Sequence, residues 1–406
     1  MLEVKSVNEV FQIIEENFKE IQIEKESISI EECYYRILAE DIYCKENIPH
    51  FNRSMVDGYA VNSLDTFGAT ESTPVQLFKK GAINIGKKSD LKIERGESVY
   101  VPTGGEIPEG ADAVVMIEWT TDYNDEFIYI NKSVPSGADI IFKGDDFKEN
   151  ELLLVSNRLL TNKDIILLAS LGIKNILVKK RLNIGIISTG DELISIEEKI
   201  RDNKIRDINS YSIFSTFNYN TFKTIRYGIV GDDFSSIKSI LTKALLETDI
   251  VILSGGSSVG EKDLSLKVIN SFNNSKIFCY GIAIKPGKPT LIAKIDNKPV
   301  IVLPGHPLSC FMILNFFVVK IVENMLGINT IKQTIEAILT MDYPSNSGRD
   351  ELIPVNIFYK DKRYFAMPLL NKSGLISPLI KSNGFIHKKR EIEILKKDDI
   401  VEVNLF

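Results

Sequence analysis

The chain has 406 residues, and at about 100–200 residues per domain that length favours several cores over one. Hydrophobic residues make up 44% and charged residues 26%, an ordinary globular composition. With 49 Lys and Arg against 55 Asp and Glu, the formal net charge of −6 argues against a general nucleic-acid binder or a binder of acidic membranes.

Val7, Val10, Phe11, Ile13, Ile14 and Phe18 recur at helical spacing behind Ser6, which predicts a helix within 7–20 with Ser6 as its N-cap. From about His50 the text turns to short β-like runs, Ser98–Pro102 and Ala113–Ile117 among them, set between turn clusters. Residues 51–138 therefore read as a β-rich domain. Leu152–Val155 follows, then a helix near 162–171 after Thr161.

From about 180 strands alternate with helices. The apolar run Leu182–Ile187 stops at Ser188-Thr189-Gly190; a helix around Tyr211–Asn218, a strand around Thr224–Val230 and a helix at Phe234–Glu247 come next. Ile250–Leu253 then ends in Ser254-Gly255-Gly256, and Val300–Leu303 runs into Pro304-Gly305-His306-Pro307 and a long helix to about Leu326. This alternation predicts a parallel sheet covered on both faces, with ligands outside the carboxyl ends of its strands. After Gly327, strands at Thr334–Met341, Glu351–Phe358 and Ile400–Leu405 predict an all-β module.

The longest strongly apolar stretch, Cys310–Val319, is far short of the roughly 20 residues that span a bilayer. The N-terminus lacks a basic region followed by an apolar core, so no secretory signal is expected. Cys33, Cys44, Cys279 and Cys310 form no C-x-x-C pair, and His50, His306 and His387 form no H-x-x-x-H, so neither a zinc site nor a disulfide framework is expected. The cysteines read as reduced and buried in a cytoplasmic protein.

Chemistry concentrates in the loops. Ser254–Gly260 follows a buried-strand pattern and precedes a helix, an arrangement whose backbone N–H groups can turn toward a phosphate. Gly255 and Gly260 have Walker A spacing, but Glu261 replaces the lysine and rules out a nucleotide-hydrolysing loop of that kind. Ser188–Glu192, Asp232-Asp233 and Asp263 place carboxylates at strand ends, where they read as Mg²⁺ ligands or as helix caps and solvated turns. Lys285-Pro286-Gly287-Lys288-Pro289 holds two cations on a stiff turn, suited to a small oxyanion. The Ser309 hydroxyl could serve the same anion, while Arg349 after Gly348 reads as a forked cation for an oxyanion or as an ordinary surface arginine in a loop. His306 reads as a turn residue or as a general acid or base, and Asp57 as an acid-base group or an Asx-turn residue.

Together these loops resemble the molybdopterin molybdenumtransferase family, bacterial MoeA and the E domain of gephyrin. The blocks are Phe51–Val61, Val101–Gly105 with Pro108–Val115, Ser188–Leu193, Ser254–Asp263, Lys285–Pro289, Pro304–Ser309 and Ser373–Asn383, in family order. Gly281 stands where some members carry a further lysine, and His306 where Asn or Tyr is common. The resemblance implies an elongated, multidomain chain of α/β and β type. Its parts would be a discontinuous linker domain (1–50 and 139–177), an inserted β-rich domain (51–138), a three-layer α/β/α molybdopterin-binding domain (178–328) and a C-terminal β-barrel-like domain (329–406).

It also implies insertion of molybdate-derived molybdenum into the dithiolene of adenylyl-molybdopterin, with Mg²⁺-assisted release of AMP. By the same resemblance Asp57, Glu192, Asp232 and Asp263 serve catalysis, the last three as Mg²⁺ ligands. Thr103, Ser188, Thr189, Gly190, Gly255, Gly256, Ser257, Ser258, Gly260, Pro304 and Gly305 bind the pterin substrate, and Lys285, Lys288, Ser309, Arg349 and Ser377 bind molybdate. A homodimer is implied, with Asp57 and Thr103 supplied by the second subunit. The upstream partner would be the molybdopterin-adenylylating enzyme; downstream stand molybdoenzyme apoproteins or their chaperones, with no nucleic acid and no membrane. The alternatives are an adenylyltransferase, which needs only the α/β unit, a tungstate-specific relative, and a scaffold, for which an additional linker and partner domain would be expected.

Overall fold

A computed structural model of the chain describes residues 4–88, 90–123, 126–200, 203–255, 264–328, 333–344, 348–369 and 374–406. The backbone clusters into two units, Met1–Glu40 with Ser156–Phe406, and Asp41–Val155.

In the first unit, runs rich in Ile, Val and Leu form a six-stranded sheet of β1 (Leu182–Thr189), β2 (Phe222–Val230), β3 (Ile250–Ser254), β4 (Ser275–Tyr280), β5 (Leu291–Ile295) and β6 (Lys298–Leu303), ordered β2-β1-β3-β6-β5-β4. β1 is parallel to both β2 and β3, and β3 is parallel to β6. The expectation of a parallel sheet fails beyond that point, because β5 runs antiparallel to β6 and to β4. The reason lies in the two-residue connection Asp296-Asn297, where both residues have positive φ, 48° and 65°. That is the backbone of a tight hairpin turn, and Asp and Asn tolerate it better than most residues.

Helices Asn209–Thr216, Phe234–Glu247 and Leu264–Asn270 pack on this sheet. The Phe234–Glu247 helix is capped by Asp233, whose Oδ2 accepts the Ser236 N–H at 2.8 Å. Pro307–Leu326 is helical throughout, with a π-helical segment at Leu314–Val318, and ends at Gly327 in the left-handed conformation. This stretch of 20 residues has a mean hydropathy of 1.6, enough by length and composition to cross a bilayer. None of its residues is exposed, however, and Cys310, Met312, Ile313, Leu314, Phe317 and Ile321 are wholly buried. It is a core helix, each fully buried large apolar side chain contributing roughly 1.5–3 kcal/mol. Val7, Val10 and Ile14 of the N-terminal helix Val7–Asn17 join the same core, and Ser6 and Glu9 close the capping box at its start.

The C-terminal strands Thr334–Leu339, Asp350–Lys360, Arg363–Pro368, Gly384–Lys388 and Ile400–Leu405 form a sheet closed by the pairing of Asp350–Lys360 with Gly384–Lys388. Ile284–Lys285 adds a short parallel strand to Asp350–Lys360.

The second unit is built on a six-stranded sheet in the order Ala113–Met116, Gly58–Val61, Glu97–Val101, Val75–Ala82, Phe127–Ile130, Thr120–Asp122. Only glycine fits at position 58, since a Cβ there would lie 2.1 Å from the Val115 carbonyl oxygen.

Candidate active site

Register aligns the carboxyl ends of the central strands. Ser188 pairs with Ser254, Ser254 with Leu303, and Thr189 with Val230. The loops after β1, β2, β3 and β6 therefore open at one edge, where ligands of such sheets bind. Gly255 is held there with φ +96°, and a Cβ would approach the Thr189 carbonyl oxygen to 2.1 Å. Its N–H donates to Leu303 O at 3.2 Å, and the Gly190 N–H donates to Val230 O at 3.1 Å. These two amides close the sheet edge. The anion cradle expected at Gly256, Ser257, Ser258 and Gly260, and Asp263 with it, lies outside the described residues.

Pro304 is buried and Gly305 exposed, and a Cβ on Gly305 would lie 3.8 Å from Gly255 Cα, so the loops after β3 and β6 are adjacent. Two residues not singled out by sequence fix this corner. Asn209 Nδ2 donates to Gly305 O at 2.8 Å. Buried Asp207 accepts the Ser188 hydroxyl at 2.7 Å and the Ser210 N–H at 3.1 Å. The nominated hydroxyl of Ser188 is thus engaged within the protein, and that of Thr189 points to Ser254 O at 3.5 Å. The available signal was a polar pair, Asp207 just ahead of the helix and Asn209 as its first residue, the helix beginning two residues earlier than its apolar pattern.

Three carboxylates gather at the ends of β1 and β2. Asp191 Oδ1 accepts the Asp232 N–H at 3.0 Å. The Glu192 carboxylate folds back over Gly190, 2.7 Å from where a Cβ would stand. Burial pushes the Asp232 carboxyl above the usual aspartate range, and the charges of Asp191 and Glu192 add to this, partly offset by a backbone hydrogen bond from Asp191. Among the described residues no three His, Cys, Asp or Glu side chains are arranged to hold a metal ion. The oxygen-only donors and the raised Asp232 fit a Mg²⁺ held by one or two carboxylates together with substrate phosphates.

The cationic loop lies at the same edge, since Tyr280 at the end of β4 pairs with Leu291, and Leu291 with Val302 of β6. It links antiparallel strands instead of a strand and a helix. Gly287, at φ +116°, rests on the Pro307–Ile313 helix so closely that a Cβ would meet Ile313 Cδ1 at 2.3 Å. Buried Ser309 is four residues before Ile313, hence on the same helix face. On the other flank, Ile284 pairs with Asp350 and Lys285 with Glu351, which sets Arg349 beside the loop. The loop carrying Lys285 and Lys288 thus lies against the helix that carries Ser309 and beside the strand that Arg349 precedes. Lys285 Nζ is 3.4 Å from Glu351 Oε2, and Glu351 was not anticipated. Ser377 is exposed at the start of the helix Ser377–Lys381; a Cβ on Gly374, ahead of it, would lie 4.0 Å from His306 Cδ2.

In the Asp41–Val155 unit, Asp57 Oδ1 accepts the Thr103 N–H at 2.6 Å and the Thr103 hydroxyl at 2.9 Å. The backbone donor, then the hydroxyl, hold the Asp57 carboxyl below the usual aspartate range. Ser54 exchanges backbone hydrogen bonds with Gly104 and Gly105, so the two motifs of this unit form one loop pair.

Family models match three stretches: the MoeA N-terminal region (domain I and II) over residues 5–172, the "Probable molybdopterin binding domain" over 185–324, and the MoeA C-terminal region (domain IV) over 336–406. The molybdopterin molybdenumtransferase of Staphylococcus aureus strain COL is 30% identical over 89% of this chain and 86% of that protein. The enzyme of the same name from Bacillus subtilis is 29% identical, over 90% and 86%. The crystal structure of the molybdopterin biosynthesis moeA protein from Pyrococcus horikoshii OT3 superposes with a TM-score of 0.86 at 32% identity, covering 100% of each chain.

Proposed function

The chain belongs to the MoeA family of molybdopterin molybdenumtransferases, and from that premise we propose the particulars of its chemistry. It is a transferase of molybdenum cofactor biosynthesis. Its substrates are adenylyl-molybdopterin and molybdate, and the products are AMP and molybdopterin carrying molybdenum. The observation that carries this reading is the meeting of the Lys285–Lys288 loop, the Ser309 helix face and Arg349 at the sheet edge where the Gly255 and Gly305 loops also meet.

Lys285, Lys288, Ser309 and Arg349, joined by Ser377, receive the molybdate oxygens, as cations and a hydroxyl on stiff supports do at little ordering cost. The strand-end loops of Ser188–Gly190, Gly255–Gly260 and Pro304-Gly305, with Thr103, hold the pterin and its phosphates. Glu192, Asp232 and Asp263 would hold Mg²⁺, which supplies charge neutralisation for the departing AMP. The protein's own contribution is positioning and electrostatics, with no thiol or imidazole nucleophile called on. The four-part division into 1–50 with 139–177, 51–138, 178–328 and 329–406 belongs to the same reading, as do a cytoplasmic location, a pterin-adenylylating enzyme upstream, and apoenzymes or their chaperones downstream. The protein works as a homodimer in which Asp57 and Thr103 complete the partner's chemistry.

The test is AMP release from adenylyl-molybdopterin by the purified chain. Release that needs both molybdate and Mg²⁺ is the expected result; release independent of molybdate would refute it. For the dimer, mixing Asp57→Ala with Asp232→Ala subunits should restore part of the activity, and mixtures as inactive as their components would exclude a shared site.

A further inference from the structure

Lys285 stands at a junction. The two-residue parallel ladder with Asp350–Lys360 is the seam between the cationic loop and the C-terminal sheet, and the Asp350 N–H donates across it to Ala283 O at 3.0 Å. Directly opposite Lys285 is Glu351, whose side chain is 1% exposed while that of Lys285 is 47% exposed. Glu351 Oε2 lies 3.4 Å from Lys285 Nζ and accepts the Tyr343 hydroxyl at 3.2 Å. Its position in the strand is set again by pairing with Lys388, whose ammonium is turned to the carbonyl oxygens of Lys389 and Ile392. A buried carboxylate fixed by the backbone on both sides thus faces the ammonium of a long, flexible side chain.

We propose that Glu351 is a positioning residue for the oxyanion site, its carboxylate holding the Lys285 ammonium where the incoming anion meets it. This deepens the reading of the Lys285 loop as a molybdate site and rests on that reading. A carboxylate near an anion site also repels the anion, and geometry decides which effect wins. The carboxylate is sealed beneath the ammonium, so an anion approaching from the exposed side meets the cation first and the carboxylate at a greater distance, where attraction exceeds repulsion. Lysine is otherwise a mobile point charge, and fixing it before binding removes an ordering cost from the binding step. A buried glutamate that aims a phosphate-binding lysine is a known device of phosphoryl-transfer enzymes.

The test is a double-mutant cycle on the full chain, with molybdate binding read by titration calorimetry. Glu351→Gln keeps the shape and the hydrogen bond to Tyr343 but removes the charge. It should weaken molybdate binding about tenfold in the wild-type background and leave it unchanged in a Lys285→Ala background. Equal weakening in both backgrounds would assign Glu351 a merely structural role and overturn the proposal. Unchanged or tighter binding by Glu351→Gln would overturn it as well. Should that variant fail to fold, Glu351→Asp takes its place, with a smaller loss that again disappears when Lys285 is alanine; persistence of the loss refutes the proposal. Wild-type protein that binds no molybdate would remove the oxyanion reading itself, a result distinct from binding without coupling.

Discussion

Asp57 and Asp232 are the same residue type in opposite electrostatic settings. Asp57 sits in the β-rich unit with two donors from Thr103 on one oxygen, and its charged form is favoured. Asp232 sits just past the end of β2, beside Asp191 and Glu192, and its charged form is disfavoured by desolvation and by their charges. The first carboxylate is already satisfied by its own loop. The second has a backbone donor from Asp191 but also two like charges beside it, and a divalent cation would relieve that repulsion.

The largest test of this contrast is catalytic. Asp232→Asn should lower molybdate-dependent AMP release by about 100-fold, the usual order for losing one electrostatic group at a reacting centre, with the fold intact by circular dichroism. Thr103→Val should cost about tenfold or less, since it removes one of two donors and leaves the backbone N–H in place. A reversed order would break the comparison.

Glycines sharpen it on the side of stability. Gly255→Ala combines a positive φ of +96° with a contact at 2.1 Å, whereas Gly58→Ala meets its 2.1 Å contact without the left-handed backbone. Denaturant unfolding should show losses of about 3–4 kcal/mol for the first and about 2–3 kcal/mol for the second. Ser188→Ala should cost about 1–2 kcal/mol, because buried Asp207 loses one of its donors.

The pH dependence is the gentlest probe. With its carboxyl held below the usual range, Asp57 contributes stability above that range, lost as pH falls through its lowered value. With its carboxyl raised, Asp232 costs stability as pH rises from the ordinary aspartate value to its raised value, the cost being complete above the raised value and absent in acid below both. Unfolding curves across pH should therefore show Asp57→Asn less stable than wild type at neutral pH, and Asp232→Asn more stable. Both differences should fade in acid. The same sign for both variants would contradict the assignment.

The strand ends were legible because buried runs such as Ile250–Leu253 stop abruptly at Ser and Gly, and the helix Phe234–Glu247 because its apolar spacing and Asp233 cap are local. The antiparallel β4–β5–β6 edge was missed, although Asp296-Asn297 marks its hairpin, because short apolar strands do not declare their direction. Asn209 and Glu351 escaped for a different reason. Their partners lie 96 and 66 residues away in the chain, and a polar side chain held at such a distance leaves no periodic trace. The residues nominated for molybdate were legible as types and motifs, yet the seam between Ile284–Lys285 and Asp350–Lys360, which sets the Lys285 loop beside Arg349, is supplied only by the folded chain.

The most direct measurement of the central claim is an anomalous difference map from crystals soaked in molybdate, collected above the molybdenum absorption edge. The account predicts a peak within hydrogen-bonding reach of Lys285, Ser309 and Arg349 at the carboxyl edge of the sheet. A molybdate peak elsewhere in the chain, with those residues left without one, would contradict it.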